Sequence, residues 1–193
     1  AREMLQASRA KPGLVTQIVP AGFTFEVDQT IVDLLSDGYV GQILSLDMDI
    51  QQGLLGADTP AMWRHDRELS GFNVMLVGAW YECMMRWVGE VSSVTALSRV
   101  VVTSRPDGSG GSKLMDIPDH VEILGEFPSG AMAHLRFSEA NGMAPPNVSK
   151  IIGTKGTLQV GDVDLMGDDS KLYGGQGRGE LKEIEIPPEK KGH

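Results

Sequence analysis

The sequence is short of cysteine, of positive charge and of uninterrupted apolar runs, and each shortage removes a class of protein. Its 193 residues hold one cysteine, Cys83. One thiol closes no internal disulfide and builds no multi-cysteine metal site, so a reducing, cytoplasmic setting is expected, and no metal. Lys and Arg number 17 against 26 Asp and Glu, a formal net charge of −9. That balance repels phosphate backbones and argues against nucleic acid as a partner. The densest apolar run, SGFNVMLVGAWYECMMRWVG at residues 70–89, carries Asn73, Glu82 and Arg86. A bilayer span needs about 20 predominantly apolar residues, so no membrane segment is expected. Glu82 and Arg86, four apart, suit an ion pair along the edge of a mostly buried helix in a water-soluble fold. The chain also lacks an initiating Met and a signal pattern at Ala1, so it reads as a section of a longer protein.

What is present suits one domain with a fragment of another. Arg2–Ala10 predicts a short helix closed by Lys11-Pro12-Gly13, and LVTQIV from Leu14 predicts a strand. A helix capped by Thr24, with Glu26 and Asp28 early and an Ile31, Leu34, Leu35 stripe, is expected to stop at Gly38. Leu44, Leu46, Met48 and Ile50 then alternate with polar residues, as in a strand with one covered face. Pro60 and WRHDRE predict a loop, residues 70–89 a helix, and VTALSRVVV a strand. RPDGSGGS, residues 105–112, reads as a mobile polar loop. Two hairpins follow, turning at Pro128-Ser129-Gly130 and Thr154-Lys155-Gly156, and LKEIEI alternates near the end. Helices with intervening strands, then strands in succession, predict an α+β fold: an open, mixed, largely antiparallel sheet with helices packed on one face.

Few residue patterns carry chemistry. WRHDREL, residues 63–69, could turn Arg64 or Arg67 toward an anion or a sugar, although a solvated loop capping a helix explains the same residues, and His65 has no metal-spaced partner. GTKG, residues 153–156, lacks the remaining phosphate-loop glycines and lies between strands. YGGQGRGE, residues 173–180, precedes a strand and fails the dinucleotide context. His120 and His134 suit hydrogen-bonded sheet positions, and Cys83 an inert packed thiol.

Four pieces taken in order, FTFEVDQTIVDLLSDGYVGQILSL, WRHDRELSGFNVMLVGAWYECMMRWVGEV, DHVEILGEFPSGAMAHLRFS and IIGTKGTLQV, resemble the Gfo/Idh/MocA family of NAD(P)-dependent sugar and polyol oxidoreductases, in the region after its nucleotide-binding domain. The resemblance implies that residues 1–20 are the terminal helix and strand of a truncated Rossmann domain. It makes residues 21–193 an α+β substrate-binding and oligomerisation domain like the C-terminal domain of glyceraldehyde-3-phosphate dehydrogenase. NAD or NADP would belong to the full-length protein, with none bound by this chain alone, which is expected to be inactive by itself.

The family's helix pattern, Ser-Gly-Gly-Gly, Asp-x-Gly-x-His-x-x-Asp and Trp-x-x-Gly, is met at Ser70, Gly71, Gly78, Trp87 and Gly89. Its acid falls on Leu76, its histidine on Trp80 and its second acid on Cys83. An indole N–H donates a hydrogen bond but takes up no proton, so Trp80 cannot replace the histidine as base, and Tyr81 points about 100° away around the helix. The catalytic residues are thus left unassigned. Arg64, Asn73, Trp80 and Tyr81 remain as substrate-binding candidates for a sugar or polyol, with Trp80 stacking on the ring face. The alternatives are a noncatalytic binding or assembly module of the same fold and a relative of the NAD-dependent glycoside hydrolases. An open sheet with an uncovered second face is expected to self-associate through it, giving a homo-oligomer.

Overall fold

The computed structural model describes residues 2–17, 25–51, 56–72, 75, 77–140, 142–144, 146–161 and 170–191. Helix α1, Arg2–Arg9, ends ahead of Pro12 as expected. Residues 14–17 then run without strand pairing, and the rest of that expected strand, with Thr24, lies outside the described residues. Helix α2, Asp28–Ser36, is closed at its start by the Asp28 carboxylate, which accepts the Phe25 N–H at 3.1 Å. It stops at Gly38, whose φ of 74° lets the chain turn back so that its N–H reaches the Leu35 carbonyl.

Among the described residues there are ten strands: β1 Ile43–Gln51, β2 Ser93–Arg99, β3 Ser104–Pro106, β4 Ser112–Leu114, β5 His120–Glu126, β6 Met132–Ser138, β7 Val148–Gly153, β8 Gly156–Gly161, β9 Lys171–Gln176 and β10 Lys182–Ile184. Eight of them form one sheet in the order β10-β9-β8-β7-β1-β6-β5-β2, while β3 and β4 pair separately. Both expected hairpins are present, as β5–β6 and β7–β8. Every pairing in the large sheet is antiparallel except β1 with β6, which run parallel from Ser45 opposite Met132 to Gln51 opposite Ser138. The fold is therefore α+β with a mixed, mostly antiparallel sheet.

Register sorts the side chains. Leu46, Met48 and Ile50 of β1 stand beside Ala133, Leu135 and Phe137 of β6 and join Ile151, Leu158, Val160 and Leu172 in one buried layer. Between β1 and β2 lie a short helix α3, Arg67–Ser70, and α4, Val77–Val88. Positions 80, 83, 84 and 87 of α4 share one helical face, and Trp80, Cys83, Met84 and Trp87 are all buried. Phe25 stacks on Trp80 at 6.1 Å between centroids. Burying side chains of this size contributes about 1.5–3 kcal/mol each. Asp28 ties α2 to α4: its carboxylate accepts from Trp87 Nε1 at 2.7 Å and from the Arg86 guanidinium at 3.1 Å.

Three expectations need correction. Strand β2 ends at Arg99, because the Asp119 carboxylate takes the Val101 and Val102 N–H groups at 2.7 and 2.9 Å and pulls them out of the ladder. The glycine-rich stretch 105–112 is the β3–β4 hairpin, turned by Asp107, whose carboxylate accepts from the N–H groups of Ser109 and Gly111. YGGQ is strand β9, not a loop ahead of a strand. A Cβ at Gly174 would lie 2.7 Å from the Tyr39 hydroxyl and 2.5 Å from Ile184, so glycine there reflects close packing.

Candidate functional site

The parallel pairing of β1 and β6 sends both strands off the sheet at the same end. Glu139 is the first residue beyond β6, and its N–H bonds the Asp119 carbonyl at 2.9 Å. The chain that follows β1 returns there as residues 56–66. Arg105 anchors it, donating to the carbonyls of Gly56 at 2.6 Å and Thr59 at 3.4 Å, while the Ala61 N–H reaches the Pro106 carbonyl at 2.7 Å. His65 sits in a single 3₁₀ turn, Trp63–His65, and its Nδ1 accepts the Met62 N–H at 3.0 Å. Residues 65, 105, 119 and 139 are thereby gathered at the strand ends, Arg105 at 2% exposure and the other three at 6%.

Burial dominates the chemistry of this cluster. It pushes the Glu139 carboxyl up to about 7, with the Asp119 charge adding to the rise and the guanidinium groups of Arg105 and Arg64 opposing it. Burial also lowers the imidazole of His65, reinforced by the positive charges of Arg105 and Lys113 and opposed by Asp119. His65 is thus neutral near pH 7. Since its Nδ1 is an acceptor, the ring proton resides on Nε2. Glu139 Oε2 and His65 Nε2 are buried without a hydrogen-bond partner. Native folds rarely leave such atoms unpaired, and doing so costs about 1–3 kcal/mol per group. A carboxyl whose charge changes near neutrality can exchange a proton with its surroundings.

The residues singled out from sequence occupy separate surroundings. Arg64 is half-buried, its guanidinium 4.5 Å from the Trp63 ring centroid, and its charge acts on Glu139, which places it at the cluster. Trp80 is 1% exposed and stacked on Phe25, so its ring has no open face for a sugar and it is a core wall. The Tyr81 hydroxyl accepts the Val91 N–H at 3.3 Å, which commits it to the end of α4. Asn73 and Leu76 lie outside the described residues. Burial raises the Cys83 thiol to about 11, and it donates to the Ala79 carbonyl, so it is no nucleophile at neutral pH.

The rest of the charged loop is partly helical. Asp66 caps α3 by accepting the Glu68 N–H at 3.0 Å and pairs with Lys113 at 2.9 Å. His120 and His134 approach Glu122 and Asp47, each at 3.5 Å. Sequence reasoning passed over Glu139, Arg105 and Asp119. The one local signal was an acid at position 139, two residues past Phe137 and next in the alternation of inward-facing Ala133, Leu135 and Phe137.

Residues 29–159 match the model of the GFO/IDH/MocA C-terminal domain. The chain belongs to this family. The same fold recurs in an NAD binding oxidoreductase from Klebsiella pneumoniae, with a TM-score of 0.74 and 21% identity over 95% of this chain and 49% of that one. It recurs in levoglucosan dehydrogenase in complex with NADH and L-sorbose, with a TM-score of 0.70 and 20% identity over 83% and 44%. It recurs also in the super-repressor mutant of Gal80p from Saccharomyces cerevisiae, with a TM-score of 0.73 and 18% identity over 96% and 52%. The chain thus spans about half the length of each. No curated protein sequence matches it. The glycine-rich stretches 105–112, 153–156 and 173–177 lie in β-hairpins and strand β9 rather than between a strand and a helix. Among the described residues no group of His, Cys, Asp and Glu is arranged for a metal ion, and no helix is long and apolar enough to cross a membrane.

Proposed function

We propose that this chain is the substrate-binding and oligomerisation domain of an NAD(P)-dependent oxidoreductase acting on a sugar or polyol, with the nicotinamide cofactor held by another domain. The observation that carries the reading is the family match over residues 29–159, joined to the likeness to a dehydrogenase solved with NADH and L-sorbose. On this reading residues 1–20 complete a nucleotide-binding unit. The exposed Met4, Leu5 and Leu14 support that role, being apolar residues in want of cover. The protein carrying this chain together with a nucleotide-binding domain should change absorbance at the nicotinamide band with at least one sugar or polyol. Silence across a panel of sugars, with cofactor binding verified, rules out turnover.

A second reading, a noncatalytic binding module, is favoured by one observation: the helix positions that carry an acid and a histidine in the family hold Leu76 and Trp80, and Trp80 is sealed in the core. The Gal80p likeness is compatible with it. Both readings share the oligomer contact. The outer sheet face presents Asp47, Asp49, Glu122, His134, Arg136 and Lys150, a mixture of signs that can complement itself across a twofold axis. Light scattering should give at least a dimer, and a monomer at every concentration would refute the contact.

A further inference from the structure

Charge is distributed unevenly along the strand order on the outer face of the large sheet. The outward residues are those that alternate with the buried Leu46, Leu135, Ile151, Leu158 and Leu172. On β1, β6, β5 and β2 they include Asp47, Asp49, Glu122 and Glu126 against Arg136 and Arg99, a net negative half. On β7, β8, β9 and β10 they include Lys150 and Lys171 against Glu183, a net positive half. The halves meet where β7 pairs with β1, with Lys150 opposite Asp47. One register row crosses the face at this level: Tyr173, Gln159, Lys150, Asp47, His134 and Leu124. Leu124 at its end is 54% exposed, and a groove of about 470 Å³ lies over the boundary, lined by Lys150, Asp47 and Asp49 among others.

Two sheets stack face to face about 10 Å apart, and a twofold axis between them can run along the strands or across them. An axis across the strands lays each half on its own copy, lysine over lysine and carboxylate over carboxylate. An axis along the strands at the β7–β1 boundary lays the positive half of each copy on the negative half of the other. We propose that two copies of this chain pack through this face about a twofold axis along the strands at the β7–β1 boundary. The inference rests on the oligomer contact proposed above and deepens it by fixing its orientation. Lys150 and Asp47 of the two copies then form a ring of four alternating charges around the axis. Further out in the same row, Tyr173 of one copy covers Leu124 of the other. In the next row Lys171, 3.6 Å from Glu183 in its own chain, faces Glu122 of the second copy, itself 3.5 Å from its own His120. Sheet twist turns rows out of line with distance from the axis, so the central ring is the best-matched contact.

The sole cysteine, Cys83, is buried, so introduced thiols report the geometry. Tyr173→Cys and Leu124→Cys placed together in one chain lie five strand spacings apart, about 24 Å. A bismaleimide about 10 Å long, the separation of stacked sheets, therefore links them only between copies. Denaturing electrophoresis should show a covalent dimer for this double variant and none for either single variant, whereas an axis across the strands through that row brings two Leu124 positions together. Dilution followed by light scattering supplies a second readout. Lys150→Glu should raise the dimer dissociation constant at least about tenfold, because the like-charge contact occurs twice, and adding Asp47→Lys should restore most of the affinity. No link in the double variant, a link in either single variant, or a dissociation constant unmoved by Lys150→Glu would overturn the proposed axis while sparing the sheet contact. A wild-type monomer at every concentration would overturn both.

Discussion

Two carboxylates at the edges of this core, Asp28 and Glu139, meet opposite fates. Asp28 opens α2 and accepts three hydrogen bonds, from the Phe25 N–H, the Arg86 guanidinium and Trp87 Nε1. Glu139, the first residue beyond β6, is more deeply buried, with one oxygen unpaired. The first is a rivet, since both oxygens are engaged by neighbours that packing already holds in place. The second carries an uncompensated desolvation cost, and folds keep such groups mainly where function repays them. Completeness of partnering, rather than burial alone, separates the structural acid from the functional candidate.

The comparison breaks hardest at the rivet. Asp28→Ala strands Trp87 Nε1 and removes the anion facing Arg86, and it should cost about 3–4 kcal/mol in urea unfolding, near the range for breaking a buried pair. Asp28→Asn, which retains one acceptor oxygen for Trp87 Nε1, should recover part of that loss. A loss below about 1 kcal/mol on Asp28→Ala would show that α2 and α4 are held by their aromatic contacts alone.

Glu139 should respond in the opposite direction. Its carboxyl titrates at about 7 in the fold against 4.5 unfolded, so the folded state holds the proton more tightly. The corresponding stability is fully present below about pH 4.5 and is lost as pH rises through 7, amounting to about 3 kcal/mol. Glu139→Gln should therefore leave stability near wild type at pH 5 and raise it by about 3 kcal/mol at pH 8. Destabilisation at pH 8 would mean that Glu139 has charged partners strong enough to make it a second rivet.

The same contrast governs what could be read from sequence. Alternation is local, so β1, β6 and the two hairpins were legible, as was the stop of α2 at Gly38. The parallel neighbours β1 and β6 were not, because nothing near Ile43 or Met132 records that they will pair, and their common exit is what assembles the cluster. His65, Arg105, Asp119 and Glu139 share no spacing, and each resembles an ordinary surface polar residue until tertiary structure buries it. Strand β9 was hidden because Gly174 and Gly175 signal turns by composition, whereas here they make room for Tyr39 and the Glu180 backbone. Trp80 was placed correctly on the buried helix but read as a lining for a ligand. Its partner Phe25 comes from a segment 55 positions earlier, which only the fold brings into contact.

Exposed ion pairs provide the smallest effect and the control for the other two. Arg136 bonds Asp49 through Nε at 2.9 Å and again through a terminal nitrogen on the outer sheet face. Burial alone would raise the Asp49 carboxyl, but the Arg136 and Gln51 hydrogen bonds outweigh it and hold the group below its usual range. The two side chains are 44% and 34% exposed, so water competes for both. A double-mutant cycle with Asp49→Ala and Arg136→Ala should return a coupling of about 0.2–1 kcal/mol that shrinks with added salt. The proposed oligomer contact sharpens the test: a pair enclosed by a second copy is shielded, so its coupling should grow with protein concentration and keep most of its value in high salt. A weak, salt-sensitive coupling at every concentration would instead leave this face open to water, and the sheet's second side would then need a different cover.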